Sequence, residues 1–190
     1  MDDVVVLSKR DRTRGRLLRN LPKGGVVAEI GVWEGDFSAR ILEICQPKEL
    51  HLIDPWLYQP EFPNTGFGKK KNATSMEERY HKVVARFAAD PRVKVHRMTS
   101  DQGLAQFADG SFDWVYIDGN HNAPFIDQDL EAALLKVKAD GLIAGDDYYW
   151  EAAEGVAPVR AAVDRLVTTG RSLQLMGNQY RIGLSSPLPA

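Results

Sequence analysis

Apolar positions along the chain follow two alternating patterns. Short runs read as strands: VVAEIG at 26–31, ELHLI at 49–53, RVKVHR at 92–97, FDWVYI at 112–117 and GLIAG at 141–145. Between them, apolar residues recur at helical spacing over 36–45, 75–89, 126–138 and 156–168. Pro47 stops the first of these helices and Gly141 closes the third. Two last runs, 171–176 and 179–184, flank Gly177-Asn178 and predict a hairpin.

Strands alternating with helices of this length imply right-handed crossovers and parallel pairing. The last two strands are too close in sequence for a crossover, so at least one is antiparallel. The expected fold is α/β: a Rossmann-like, mostly parallel seven-stranded sheet with helices on both faces and a C-terminal antiparallel hairpin. Residues 55–73 (PWLYQPEFPNTGFGKKKNA) break the rhythm with Pro, Gly and aromatics. A loop this long, following directly from a strand end, is read as a lid.

Composition narrows the class. The 190 residues, 44% of them hydrophobic, suit one domain over 1–190, with 1–22 as a helical extension before the first strand. A net charge of −2 gives no general attraction to nucleic acid or membranes. Lys69-Lys70-Lys71, between glycines and Asn72, reads as a solvated loop. The lone Cys45 excludes an internal disulfide, and no apolar window approaches the ~18 residues of a spanning helix. A soluble, cytoplasmic protein is expected.

The chemistry gathers at strand ends, where open α/β sheets bind ligands. Those ends carry Gly31, Asp54, Asp118 and the pair Asp146-Asp147. Helix capping is the plain alternative for each acid, but it does not explain two adjacent acids before Tyr148-Tyr149-Trp150. In Gly31-Val-Trp-Glu-Gly35, Trp33 stands where a dinucleotide turn wants glycine, and Glu34 adds negative charge. This is a poor phosphate cradle. A ligand without phosphates and with positive charge fits better, and S-adenosylmethionine has both properties. Glu29, beside the turn, is placed to orient its amino-acid part directly or through water. Asp54, 23 residues after Gly31, is placed to accept from two ribose hydroxyls. Trp33, Trp56 and Trp150 are available for stacking on a base or for packing. Tyr148 and Tyr149 are available to line an acceptor pocket. His51, His81 and His96 lie within elements and read as structural.

The segments AEIGVWEGDFSARIL, HLIDPW and FDWVYIDGNHNAPFIDQDLEAALLKVKADGLIAGDDYYW resemble class I S-adenosylmethionine-dependent methyltransferases over roughly 24–184. The IDGNH…GLIAGDDY block resembles the metal-dependent macrocin- and mycinamicin-type sugar O-methyltransferases, and more loosely the catechol type. That branch has a long N-terminal region, whereas only about 25 residues precede the first strand here. The resemblance implies a divalent metal at Asp118, Asp146 and Asp147, with His121 as general base. It implies cofactor contacts at Ser100 and Asp101, the latter near the adenine amine, besides Glu29, Gly31, Gly35, Asp54 and Asp118. The carboxylate ligands favour Mg²⁺ over zinc, and three such acids without a cation would raise one another's pKa. The implied reaction is methyl transfer to a hydroxyl. A neutral hydroxyl is a weak nucleophile, so a metal that acidifies it and a histidine with a reference pKa of ~6.5 both serve. A polar turn is the alternative for His121.

The expected partner is a small-molecule hydroxyl acceptor, a sugar or natural product first and a catechol-like phenol second. No nucleic acid or membrane is expected, and a homo-oligomer is left open. Three other readings compete. An NAD-dependent oxidoreductase accounts for Asp54 but not Trp33. A non-catalytic S-adenosylmethionine-binding module does not account for the full set of acids with His121. A metal-dependent hydrolase leaves the glycine turn and Asp54 unexplained.

Overall fold

The computed structural model describes residues 8–168 and 170–184. The strands are β1 (Val26–Ile30), β2 (Glu49–Asp54), β3 (Val93–Arg97), β4 (Phe112–Ile117), β5 (Val137–Gly145), β6 (Ser172–Met176) and β7 (Gln179–Gly183). The helices are α1 (Lys9–Arg19), α2 (Asp36–Cys45), α3 (Met76–Phe87), α4 (Ser100–Leu104), α5 (Phe125–Lys136) and α6 (Pro158–Val167).

The strands form one sheet in the order β3-β2-β1-β4-β5-β7-β6. Pairing is parallel from β3 to β5 and antiparallel at β5–β7 and β7–β6, as the strand spacing predicts. Strand order reverses between β1 and β4, which is the topological switch point where such sheets open a crevice. Register brings four strand ends level there: Ile53 pairs Ile30, Ile30 pairs Ile117, and Ile117 pairs Gly145. The next residues continue the row. Gly31 N–H donates to Ile53 O (3.0 Å), Asp118 N–H to Ile30 O (2.8 Å) and Asp146 N–H to Ile117 O (3.1 Å).

Alternation along β4 feeds two cores. Trp114 and Tyr116 join Leu17 and Leu18 of α1 and Phe37 and Ile41 of α2; Val115 and Ile117 join Ile126 and Leu130 of α5 and Val159 and Val163 of α6. Helix α1 starts at the N-cap Ser8, whose Oγ accepts from Asp11 N–H at 3.0 Å. Its fully buried Leu17 and Leu18 each contribute on the order of 2 kcal/mol from removing apolar surface from water. That seating fixes the helix beside the sheet.

Some boundaries differ from the sequence reading. The helix expected over 126–138 ends at Lys136, and β5 begins at once with buried Val137, in extended backbone, rather than at Gly141. Gly141 closes no helix. It lies inside β5, where the register against β4 shifts and an added Cβ would come within 2.4 Å of Val137 Cγ1. The short helix α4 has no apolar period of its own, and its element is absent from the pattern reading. Residues 55–73 hold turns and one 3₁₀ turn, Lys70–Asn72.

Candidate active site

A cavity of about 550 Å³ opens at the switch point. Its floor is the row of strand ends, Ile30, Gly31, Ile53, Asp54 and Asp118. Thr99, Ser100 and Asp101 from the start of α4 form one wall, and Asn64, Thr65, Gly66 and Phe67 from the 55–73 loop cover another. His121, Asp147, Trp150, Arg10 and Arg14 line the far end.

The glycine turn is built by close approach. Gly31 has φ +84°, and a Cβ there would lie 2.2 Å from Asp118 O. Only glycine combines that backbone with that contact. Asp54 then ties the turn to the loop. One carboxylate oxygen accepts from Val32 N–H (2.9 Å) and Trp33 N–H (3.0 Å), the other from Trp56 N–H (2.7 Å). Three of a carboxylate's roughly four acceptor positions are thus in use. Burial raises the Asp54 pKa despite those three donors. Trp33 and Trp56 both sit in left-handed backbone, φ 58° and 43°, and Trp56 Nε1 donates to Trp33 O at 2.8 Å. Strain of this kind persists where the surroundings enforce it. The Trp33 ring is covered by the Arg79 guanidinium, 4.1 Å from its centroid, and faces Gly66.

The far end is a charge cluster. His121 Nε2 lies 3.4 Å from Asp118 Oδ1 and 3.2 Å from Asp147 Oδ2. Burial alone would lower its pKa, but the two carboxylates outweigh burial and lift it to about 9. The imidazole therefore holds a proton at neutral pH, unlike the free histidine that the sequence suggests. Asp147 has φ 59°, and its Oδ1 accepts from Asn178 Nδ2 at 2.6 Å. Burial would raise Asp147, yet His121 and the arginines hold it below the usual carboxylate range. Asp146 is fully buried. Its Oδ1 accepts from Asp147 N–H (2.7 Å) and from Gln179 Nε2; its Oδ2 accepts from Arg10 Nε and Arg14 Nε, both at 2.9 Å. Arg14 Nη2 also bonds Asp118. Burial would discharge Arg14, but Tyr116, Asp118 and Asp146 keep its pKa above the ordinary arginine value.

The structure brings Gly31, Asp54, Ser100, Asp101, Asp118, His121 and Asp147 into the lining of one cavity. Glu29, Gly35 and Asp146 do not line it. Glu29 is 1% exposed and accepts from Ser38 Oγ at 2.5 Å, with burial lifting its pKa to about 8. Trp150 lines the cavity with its ring 5.6 Å from that of His121. Tyr148 is turned away, its hydroxyl donating to Asp164 at 2.6 Å, and Tyr149 is exposed outside the lining.

Three functional candidates escape the sequence reading. Asp129 is buried on α5, accepts from Ser100 Oγ, and lines the cavity; burial lifts its pKa to about 6. Its signal is an acid three residues after Ile126, inside the apolar stripe that Leu130 and Ala133 continue. Arg10 and Arg14 are the others. Their signal is their spacing of four, which places both on one face of α1.

The sequence model of a methyltransferase-domain family matches residues 28–148. No curated protein sequence matches. Among solved structures, the O-methyltransferase TomG from Streptomyces achromogenes, involved in tomaymycin synthesis and solved in complex with SAM, is 17% identical. The alignment covers 98% of this chain and 84% of that one, with a TM-score of 0.62. A protein from Corynebacterium glutamicum is 14% identical, with 96% and 84% covered and a TM-score of 0.64. Spermidine synthase from Thermotoga maritima is 14% identical over 92% of this chain and 58% of its own, with a TM-score of 0.58. At these identities the structures speak for the fold alone. The family match spans the glycine turn, Asp54, Asp118, His121 and the Asp146-Asp147 pair, and on it this chain belongs to the methyltransferase-domain family.

Proposed function

We propose that the protein is an S-adenosylmethionine-dependent O-methyltransferase that acts on a hydroxyl of a small molecule of sugar or natural-product type. One observation carries the reading. A single cavity joins a glycine turn unsuited to phosphate with a carboxylate–imidazole cluster, Asp118, His121 and Asp147. The TomG likeness, through what that protein is named for, supports the same reading.

When bound, S-adenosylmethionine supplies the methyl group on a sulfonium, and a divalent cation supplies Lewis acidity toward the acceptor hydroxyl. Asp54 holds the turn and offers its remaining acceptor position to a ribose hydroxyl. Ser100 and Asp101 face the adenine end. The donor set fits a cation such as Mg²⁺. Asp118, His121 and Asp147 each offer one ligand atom, all within 4.8 Å of one another, and the carboxylates are hard oxygen donors. Asp118 and Asp147 would hold it. His121 is the group that takes the acceptor's proton, once its contacts to the two acids are released. The 55–73 loop, through Leu57 and Phe67, covers the acceptor and excludes water.

The reading is tested by incubating the protein with S-adenosylmethionine, Mg²⁺ and a panel of hydroxyl compounds, reading methylated product by mass spectrometry. An active acceptor lets Asp118→Asn and His121→Gln be measured, each expected to lose at least about a hundredfold in turnover. Full turnover of Asp118→Asn in chelator would contradict the metal role.

A further inference from the structure

Arg10 Nη2 stands where the three acids converge. It is 2.8 Å from Asp146 Oδ2, 3.5 Å from Asp147 Oδ2 and 3.6 Å from Asp118 Oδ1. Each strand-end acid thus turns one oxygen toward a single guanidinium nitrogen. The acids are those to which the family resemblance assigns a metal, and the point they share is taken by the chain's own cation. Arg14 plays a different part. Its side chain is 14% exposed and pairs Asp118 and Asp146, while that of Arg10 is 51% exposed at the first turn of α1.

We propose that Arg10 is a resident occupant of the cation position, so that a divalent ion binds by exchange with its guanidinium. The inference rests on the proposed cation site and adds how that site is filled and emptied.

The asymmetry of the two arginines supports exchange. A half-exposed side chain keeps solvent on one side, so the guanidinium of Arg10 has a short path from the acids to water. Its departure strands no buried charge, because Arg14 remains on Asp146. Arg14 stays, since removing it would strand buried acids. With Arg10 withdrawn, Arg14 still neutralises Asp146 Oδ2, and Asp118 Oδ1 and Asp147 Oδ2, the carboxylates of the proposed cation site, lose the guanidinium between them. An ion that must displace an occupant binds with its intrinsic affinity reduced by the fraction of open sites. The helix carrying Arg10 lies outside the residues matched to the family, which begin at 28.

The test is calorimetric titration of the full chain with Mn²⁺, without cofactor, on the wild type, Arg10→Ala and Arg10→Gln, the last of which keeps part of the side-chain stem. Circular dichroism establishes that each variant is folded. Binding to both variants roughly tenfold or more tighter than to the wild type supports exchange. Equal affinity in all three overturns it and leaves the cation site standing. Absence of binding in every folded protein removes the cation site, and this inference with it, while cofactor binding is measured separately. A second readout uses Mg²⁺ and the arginine Nε–H resonances. Exchange moves the Arg10 signal to a solvent-like position and leaves that of Arg14 in place; no movement of Arg10 on saturation overturns the proposal.

Discussion

Gly31 and Asp118 meet backbone to backbone, so closely that a Cβ on Gly31 would sit 2.2 Å from the Asp118 carbonyl oxygen. The contact joins β1 to β4 at the switch point, beneath the cavity. Gly31→Ala adds an atom there and forces alanine to φ +84°. Such a change costs more than the usual point mutation, about 3 kcal/mol or more. Urea unfolding is expected to show that loss, and a shift under about 1 kcal/mol would mean the two strand ends are not so closely joined.

Arg14 and Arg10 predict different costs. Arg14 is largely buried between Asp118 and Asp146, and removing one partner of a buried pair costs about 3 kcal/mol. Arg10 is half-exposed, so its deletion is expected to cost no more than about 1 kcal/mol after solvent screening. Chemical denaturation of Arg14→Ala and Arg10→Ala ranks them directly. Equal losses would contradict the division of labour between the two side chains.

The His51–His96 pair predicts a pH dependence far from the site. His51 Nδ1 and His96 Nε2 are 3.0 Å apart, packed against Phe107 and Phe112, with Glu49 and Lys94 the nearest charges. Burial first, then His96, lowers the pKa of His51; burial lowers that of His96. Both folded values thus lie below the unfolded value of ~6.5. The unfolded chain takes up protons first, so stability is complete above ~6.5 and falls as pH drops through the folded values. His96→Gln is expected to flatten the stability profile between about pH 7 and pH 5 relative to the wild type. An unchanged profile would show that the pair does not titrate on unfolding.

Local pattern made most of the fold legible. Each of the seven strands falls where alternation or an apolar run placed it, because period and turn residues are local properties. The start of β5 was hidden, since a helix and a strand joined without a connecting residue leave no punctuation, and Gly141 served a bulge instead of a cap. At the site, Gly31, Asp54 and the acids were legible as strand ends. The fate of Asp146 was not. Its partner Arg14 is 132 residues away, and no local signal links a surface-like arginine on α1 to an acid at the end of β5. Glu29 illustrates the same limit: its place in β1 was readable, while its burial against Ser38 depends on how α2 packs.

The central claim is that the glycine turn and Asp54 form a site for S-adenosylmethionine. The most direct test is calorimetric titration of the folded protein with that compound, alongside Asp54→Ala and NADH. The account predicts saturable micromolar binding by the wild type, at least about tenfold weaker binding by Asp54→Ala, from loss of hydrogen bonds to a charged group, and no binding of NADH. Absence of S-adenosylmethionine binding to the folded wild type would contradict it.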